Sequence, residues 1–154
     1  MIKLPLLAKC KVYPKGTWYF FLVCVWKRRK DMLQALRQGH VEDIEDCEAI
    51  CVTNTVYACA AGKSHMTGCL GQIHFHQNSF MMGIITHESA HAALAWARRV
   101  GVNVTEAKPE NQSHVSGAEE SFCWVLGNIS RQIVLKVNRQ WKFPGGQTKG
   151  ISYV

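Results

Sequence analysis

Apolar residues recur at strand spacing along the first half of the chain. The segments "KCKVYPKG" and "TWYFFLVCVW" predict two β-strands joined by a Pro-Lys-Gly turn, because runs of apolar and β-branched residues between turn signals are typical of strands. Further on, "AICVTNTVYACA" (residues 49–60) and "QIHFHQN" (residues 72–78) indicate two more strands. In the last of these, Ile73 and Phe75 share one face, and His74 and His76 share the other.

Three other segments show helical spacing. "KRRKDMLQALRQG" ends at Gly39, and "SFMMGIITHESAHAALAWARRVG" has Ser79 as a candidate N-cap and Gly101 as a stop. After a polar loop, "AEESFCWVLGNISRQIVLKVNRQW" predicts a second long helix, in which the small residues Cys123 and Gly127 should let the two long helices approach closely. Its apolar stripe consists of Phe122, Val125, Leu126, Ile129 and Ile133.

This order of elements predicts an α+β fold with a mixed sheet of about four strands. The chain of 154 residues is of a size for one globular core, and no linker or repeat divides it. We expect a single domain over residues 1–142, followed by a flexible C-terminal tail over residues 143–154, which are rich in Pro and Gly.

Composition narrows the classes of function. No apolar run approaches the roughly 18 residues of a membrane helix, and the N-terminus has no full signal-peptide pattern, so we expect an intracellular protein without membrane contact. The seven cysteines are odd in number and lack paired CxxC spacing, which predicts free thiols. The formal charge of +7 favours acidic partners or nucleic acid, but no nucleic-acid motif accompanies it, and a solvated surface explains the basic "KRRK" and the acidic "EDIEDCE" equally well.

The chemistry is concentrated in "IITHESAHAALAWARRVG" (residues 84–101). Residues four apart on a helix lie one above the other, so His87 and His91 can place two imidazole nitrogens on one cation, with Glu88 beside them. Catalytic zinc sites use such histidines, with a carboxylate that takes a proton from the attacking water. Ile84, His87, His91 and Leu94 form one stripe, on which two unpaired histidines would be unfavourable to bury without a metal. The pattern predicts a Zn²⁺ site with Glu88 as general base; the alternative is a polar edge on an ordinary helix.

A hydrolytic zinc site usually needs a third protein ligand. Ala97 stands where the metzincin pattern HExxHxxGxxH has its third histidine, so that pattern fails. The remaining candidates are His114, in the polar loop, and the carboxylates of Glu119 and Glu120.

The order of elements resembles the small zincin cores of minigluzincins and of SprT-like and ImmA-type metallopeptidases. More narrowly, "THESAHAALAWARR" with "EESFCWVLGNISRQI" is similar to small metallopeptidase-like proteins of bacteriophages and prophages. The chain lacks the close third histidine of SprT-like enzymes and differs from ImmA-type proteins around the third-ligand Glu, so neither biological role is carried over. The resemblance implies a zincin-like domain whose site is completed by a Glu on the helix after HExxH.

Helical geometry favours Glu119 for that role, because it shares the stripe of Phe122 and Leu126, whereas Glu120 lies to the side with Trp124. The other glutamate is then a solvated charge at the helix start or holds a ligand histidine. In zincins the strand before the HExxH helix commonly pairs with an extended substrate. The resemblance places "QIHFHQN" there, so that His74 or His76 contacts substrate or stabilises the oxyanion, unless they are solvent-facing histidines without function.

The leading hypothesis is therefore a phage-encoded zinc metallopeptidase in the cytoplasm of a bacterial host, acting on a protein or peptide. The first alternative is a zincin-fold protein that binds a host protein or nucleic acid through its basic surface, with a structural or vestigial metal site. The second is a hydrolase of a non-peptide amide, which the same chemistry permits. The sequence leaves the substrate and the oligomeric state open.

Overall fold

Four strands form a mixed sheet in the computed structural model, which describes residues 4–14, 16–41, 44–53, 68–104 and 117–141. The strands are β1 (Leu6–Val12), β2 (Phe20–Trp26), β3 (Ala49–Thr53) and β4 (Cys69–His76). Their order in the sheet is β1-β2-β4-β3, with β2 parallel to β4 and the other two pairs antiparallel. The strand that precedes the HExxH helix is therefore an interior strand.

Three helices accompany the sheet in the described part of the chain: α1 (Arg29–Gln38), α2 (Met82–Val100) and α3 (Gly117–Gln140). The prediction of a mixed sheet of four strands combined with helices is confirmed for these residues. The predicted tail 143–154, residues 54–60 of the third predicted strand and His114 lie outside the described residues.

Alternation along the strands separates two apolar clusters. Ile73 and Phe75 belong to the larger cluster, which fills the space between the sheet and the α2–α3 pair. On the opposite face, α1 covers β2 and β4 with a smaller cluster of Met32, Leu33 and Leu36 together with Ile44. His74 and His76 point to this second face, as predicted, but they are buried there.

The ends of α2 follow the sequence signals in part. Gly101 ends the helix in the left-handed conformation (φ 76°) that glycine adopts without strain, and its N–H donates to the carbonyl of Ala97. Ser79 does not cap α2, which begins at Met82. Its hydroxyl accepts a hydrogen bond from the His76 N–H (3.0 Å) and closes a short turn over Gln77–Ser79 instead.

The stripe on α3 is partly confirmed. Val125, Ile129 and Ile133 are buried, whereas Phe122 and Leu126 are half-buried. The expectation of a close helix approach at Gly127 is wrong, because a Cβ at this residue would meet nothing within 4 Å. No described helix combines the length and the apolar character that crossing a membrane requires. Six cysteines fall within the described residues, and all six are free thiols.

Candidate active site

His87 and His91 lie side by side on the solvent-facing side of α2. Their Nε2 atoms are 3.2 Å apart, and the ring planes are inclined by 77°. Two nitrogens that bind one tetrahedral zinc ion at about 2.0–2.1 Å stand about 3.3 Å from each other. The spacing of the imidazole pair therefore fits two ligands of one such ion, and both rings are exposed, which leaves room for water.

The buried face of α2 is displaced from the stripe that contains the histidines. Small and apolar residues make up this face, including Ile85, Ala92, Ala93 and Trp96. The expectation that the two histidines lie on a buried stripe is wrong, since the helix turns them outward. Glu88 occupies the buried face in their place.

Glu88 is only 5 % exposed, although it lies next to an exposed histidine. Its carboxylate accepts a hydrogen bond from the backbone N–H of Cys51 on β3. Burial raises the pKa of the Glu88 carboxyl above its usual value, while His87, His91 and the Cys51 N–H act in the opposite direction. A carboxyl group with a raised pKa is a stronger proton acceptor than an ordinary surface glutamate.

A cavity of about 480 Å³ opens beside these side chains, between the start of β3 and the first half of α2. Three carboxylates contribute to its wall, so the lining is acidic. The lining includes Asp46, Glu48, Gly83, Ile84, His87 and Glu88.

Glu48 is held in this wall by two basic side chains. His76 Nε2 lies 2.8 Å from Glu48 Oε2, and Arg29 Nε lies 3.4 Å from Glu48 Oε1. The backbone N–H of Ser79 donates to the His76 side chain. That bond leaves Nε2 as the nitrogen that donates to Glu48, so His76 positions a carboxylate of the cavity.

His74 is buried on the same face of β4. Trp26 Nε1 donates to His74 Nδ1 (3.1 Å), and His74 Nε2 lies 3.1 Å from Gln72 Oε1. The indole N–H can only donate, so the imidazole is neutral and carries its proton on Nε2. Burial lowers the pKa of His74 to about 4.

The position predicted for "QIHFHQN" is wrong in one respect: β4 has no free edge for a substrate, because β2 and β3 pair with both of its sides. His74 and His76 are each 6 % exposed, so the solvent-facing orientation is wrong as well. Within the described residues, the sheet edge beside Glu88 belongs to β3.

The third metal ligand is not assembled in the described part of the chain, where no three His, Cys, Asp or Glu side chains converge as a metal site would require. Glu119 and Glu120 are both exposed in the first turn of α3, and Glu120 lines a cavity with Trp96 and Trp124. The assignment of Glu119 as the third metal ligand stays a prediction.

Two contributors to the site were missed from the sequence. Cys51 acts through its main-chain N–H, for which no side-chain pattern is a signal. Glu48 lies in the acidic run that was interpreted as solvated surface, and only the pairing of β3 with β4 brings it to His76.

Comparisons with known proteins identify no relative of this chain. No protein-family model matches the chain, and searches of curated proteins and of solved structures give no match.

Proposed function

We propose that this chain is a zinc-dependent hydrolase with a zincin-like site that cleaves peptide bonds. The observation that carries the proposal is the pair of imidazole nitrogens 3.2 Å apart on the open side of α2, with the buried carboxylate of Glu88 next to them. The chance that an ordinary surface helix presents both is small, because a buried carboxylate is unfavourable unless it is used or well paired.

In this proposal each residue has a distinct role. His87 and His91 hold the ion, which when bound polarises a carbonyl and makes water more acidic. Glu88 takes a proton from the attacking water and gives it to the leaving nitrogen. Its hydrogen bond from the Cys51 N–H fixes the carboxylate at the edge of β3.

A peptide is the favoured substrate because of the strand beside the site. The Cys51 N–H donates to Glu88, and β3 is an edge strand of the sheet within the described residues, so the proposed base lies beside that strand. An extended peptide can pair with an edge strand through main-chain groups other than the Cys51 N–H, which already binds Glu88, and so bring an amide bond near Glu88. A small non-peptide amide would gain nothing from this edge.

Metal analysis of purified protein tests the ligand assignment. We expect one zinc ion per chain in the wild type and a strong loss of zinc in both His87→Ala and His91→Ala, because each variant removes one of two converging nitrogens. His40→Asn is the matched control: His40 is exposed and has φ 59°, a conformation that asparagine tolerates. Zinc absent from protein prepared without chelator, or retained by both alanine variants, contradicts the proposal.

Glu88→Gln separates catalysis from metal binding. The variant should keep its zinc and its fold but lose peptide hydrolysis, because the amide cannot accept a proton. Hydrolysis is measured by mass spectrometry on a complex peptide mixture. Cleavage at the wild-type rate by Glu88→Gln would remove Glu88 as the base.

The same metal analysis separates the two candidate carboxylates on α3. We expect Glu119→Ala to lower zinc affinity more than Glu120→Ala, whose effect should stay within the roughly 10–100-fold of an outer-shell change. The reverse order would assign the ligand to Glu120, and no change in either variant would exclude both.

A further inference from the structure

The charges of this chain are segregated along its sequence. All 11 acidic residues lie between positions 31 and 120, so that residues 1–30 and 121–154 contain none. The same two segments hold thirteen of the 18 Lys and Arg residues, eight in the first and five in the second. In the fold α3 packs against β1, which brings these two acid-free segments together.

The outer face of the β1–β2 hairpin combines this charge with aromatic rings. Lys9 and Lys11 alternate with buried residues along β1, and Tyr13 continues this alternation directly after the strand, so the three residues share one exposed face. Whereas α1 packs against β2 and β4, the larger contacts of β1 are with β2 and α3. We call the following five residues the hairpin surface: Lys9, Lys11, Tyr13, Phe20 and Lys136. Trp18 lies two residues before Phe20, in the loop that joins the two strands.

Rings and ammonium groups are interleaved on this surface. Lys11 Nζ lies 4.3 Å from the centre of the Phe20 ring, and Lys136 Nζ lies 5.3 Å from the centre of the Tyr13 ring. Tyr13 and Phe20 are themselves 5.8 Å apart. In both contacts the ammonium group lies over the aromatic ring, so positive charge and aromatic surface share one small area.

Trp18 adds a large ring in the loop between the two strands. It is 58 % exposed, the highest exposure of any large apolar side chain in the described residues. The ring is fixed in place: it stacks on Tyr19 with the centroids 4.6 Å apart, and a Cβ at Gly68 would lie 2.5 Å from it. An exposed but immobilised indole presents a platform for another flat group.

We propose that the hairpin surface binds single-stranded nucleic acid without sequence preference. Lysines of β1 and α3 neutralise phosphates, the exposed ring of Trp18 stacks on a base, and Tyr13 and Phe20 hold the lysines over their rings. An acidic protein would need the charges but not the rings, and an anionic membrane would need a continuous apolar area, so the combination favours unpaired bases. This binding is independent of the hydrolase proposed above, since no residue of the hairpin surface contributes to that site.

Fluorescence anisotropy with a labelled 16-nucleotide oligothymidylate tests the proposal on the full chain. We expect binding that weakens steeply between 50 and 200 mM salt, as phosphate contacts require. Trp18→Ala should weaken it by about fivefold or more, in line with the loss of one stacked base. Trp124→Ala is the matched control, because Trp124 is an exposed tryptophan (47 %) on α3 outside this surface.

Charge is tested separately from stacking. Lys9→Ala and Lys11→Ala should each weaken binding and reduce the slope of log affinity against log salt by about one. Lys30→Ala is the control, since Lys30 is an exposed lysine on α1. Glu88→Gln should bind like the wild type, so failure of the hydrolase and failure of this proposal give different results.

Three outcomes would overturn the proposal. The first is the absence of binding at 50 mM salt. The second is equal competition by poly-glutamate at the same charge concentration, or equal binding to vesicles of anionic lipid, which would mean that charge alone is recognised. The third is an unchanged affinity in Trp18→Ala, Tyr13→Ala and the lysine variants, which would place any binding elsewhere.

Discussion

Two buried histidines on β4, His74 and His76, show how hydrogen-bond partners determine the proton arrangement on an imidazole ring. His74 is enclosed by Trp26 on one nitrogen and Gln72 on the other, so both of its nitrogens are satisfied only while the ring is neutral. His76 has an acid as its partner, Glu48, at the wall of the cavity. Two neighbouring positions on the same face of β4 therefore have different surroundings: His74 is hydrogen-bonded to neutral groups, and His76 is hydrogen-bonded to a carboxylate.

The neutral state of His74 predicts a loss of stability in acid. Its pKa is about 4 in the folded protein and about 6.5 in the unfolded chain, so the unfolded state binds the extra proton between these values. The contribution is complete above pH 6.5 and is lost as the pH falls toward 4, with a maximum of about 3 kcal/mol. Urea titrations at pH 7 and pH 4.5 measure it.

His74→Gln removes the titrating group while an amide can still bond to Trp26 and Gln72. The difference in free energy of unfolding between the two pH values should shrink in this variant, whereas the exposed-histidine control His40→Asn should behave as the wild type does. An equal loss in wild type and His74→Gln would show that His74 does not take up the proton.

At the scale of elements, α3 closes the outer edge of β1 through side chains. Gln140 accepts from the Lys9 N–H (2.9 Å), Lys136 donates to the Lys11 carbonyl (2.7 Å), and Gln132 binds both backbone groups of Tyr13. Steps of four residues on a helix, about 6 Å, match steps of two residues on a strand, about 6.8 Å. Side chains of α3 therefore form hydrogen bonds with main-chain groups at the edge of β1 that could otherwise pair with a strand of another chain.

This edge contact predicts a measurable loss on removal of one amide. Gln132→Ala leaves the N–H and carbonyl of Tyr13 without their partner, and we expect the free energy of unfolding to fall by about 1 kcal/mol. Gln34→Ala, at an exposed position of α1, is the control for the loss of a helical glutamine. If chemical denaturation gives Gln132→Ala and Gln34→Ala the same free energy of unfolding, the contact between Gln132 and the Tyr13 main chain does not stabilise the fold.

Most elements of this fold could be predicted from local periodicity, because each strand and helix carries its own pattern. Strand order could not, since the parallel pairing of β2 with β4 passes over α1 and β3 and is decided by non-local contacts. Gly71 illustrates the difficulty: a Cβ there would lie 2.4 Å from the Val52 carbonyl oxygen, so the observed approach of β3 at this position requires glycine. The sequence shows the glycine but not its neighbour.

The candidate site could likewise be predicted only in part. The spacing of His87 and His91 follows from the helix alone, and the structure brings their nitrogens together. Which side of α2 is buried depends on where the sheet and α3 pack, so the burial of Glu88 and the exposure of the histidines were not evident from a 3.6-residue period. Contacts through the main chain, such as the Cys51 N–H, leave no trace in the side-chain pattern.

At the scale of the whole molecule, the two histidines of the candidate site lie outside the core. The larger apolar cluster joins the sheet to α2 and α3 through residues such as Phe75, Ile85 and Ile129, and neither His87 nor His91 belongs to it. Both histidines project from the outer side of a helix that is already packed. A metal bound there contributes to stability through its binding free energy alone and is not needed to assemble the core.

Metal removal should therefore leave the protein folded. After dialysis against a chelator, we expect the near-UV and far-UV circular dichroism to be retained and thermal unfolding to stay cooperative, with a midpoint lower by the amount that ligand binding supplies. His87→Ala should melt close to the chelated wild type, because both lack the same contribution. Loss of the near-UV signal on chelation, restored by zinc, would mean that the metal is structural, as in small zinc domains that unfold without it. That result would favour the binding-protein alternative over the hydrolase, since a metal needed for assembly is usually fully enclosed by protein ligands and has no open position for water.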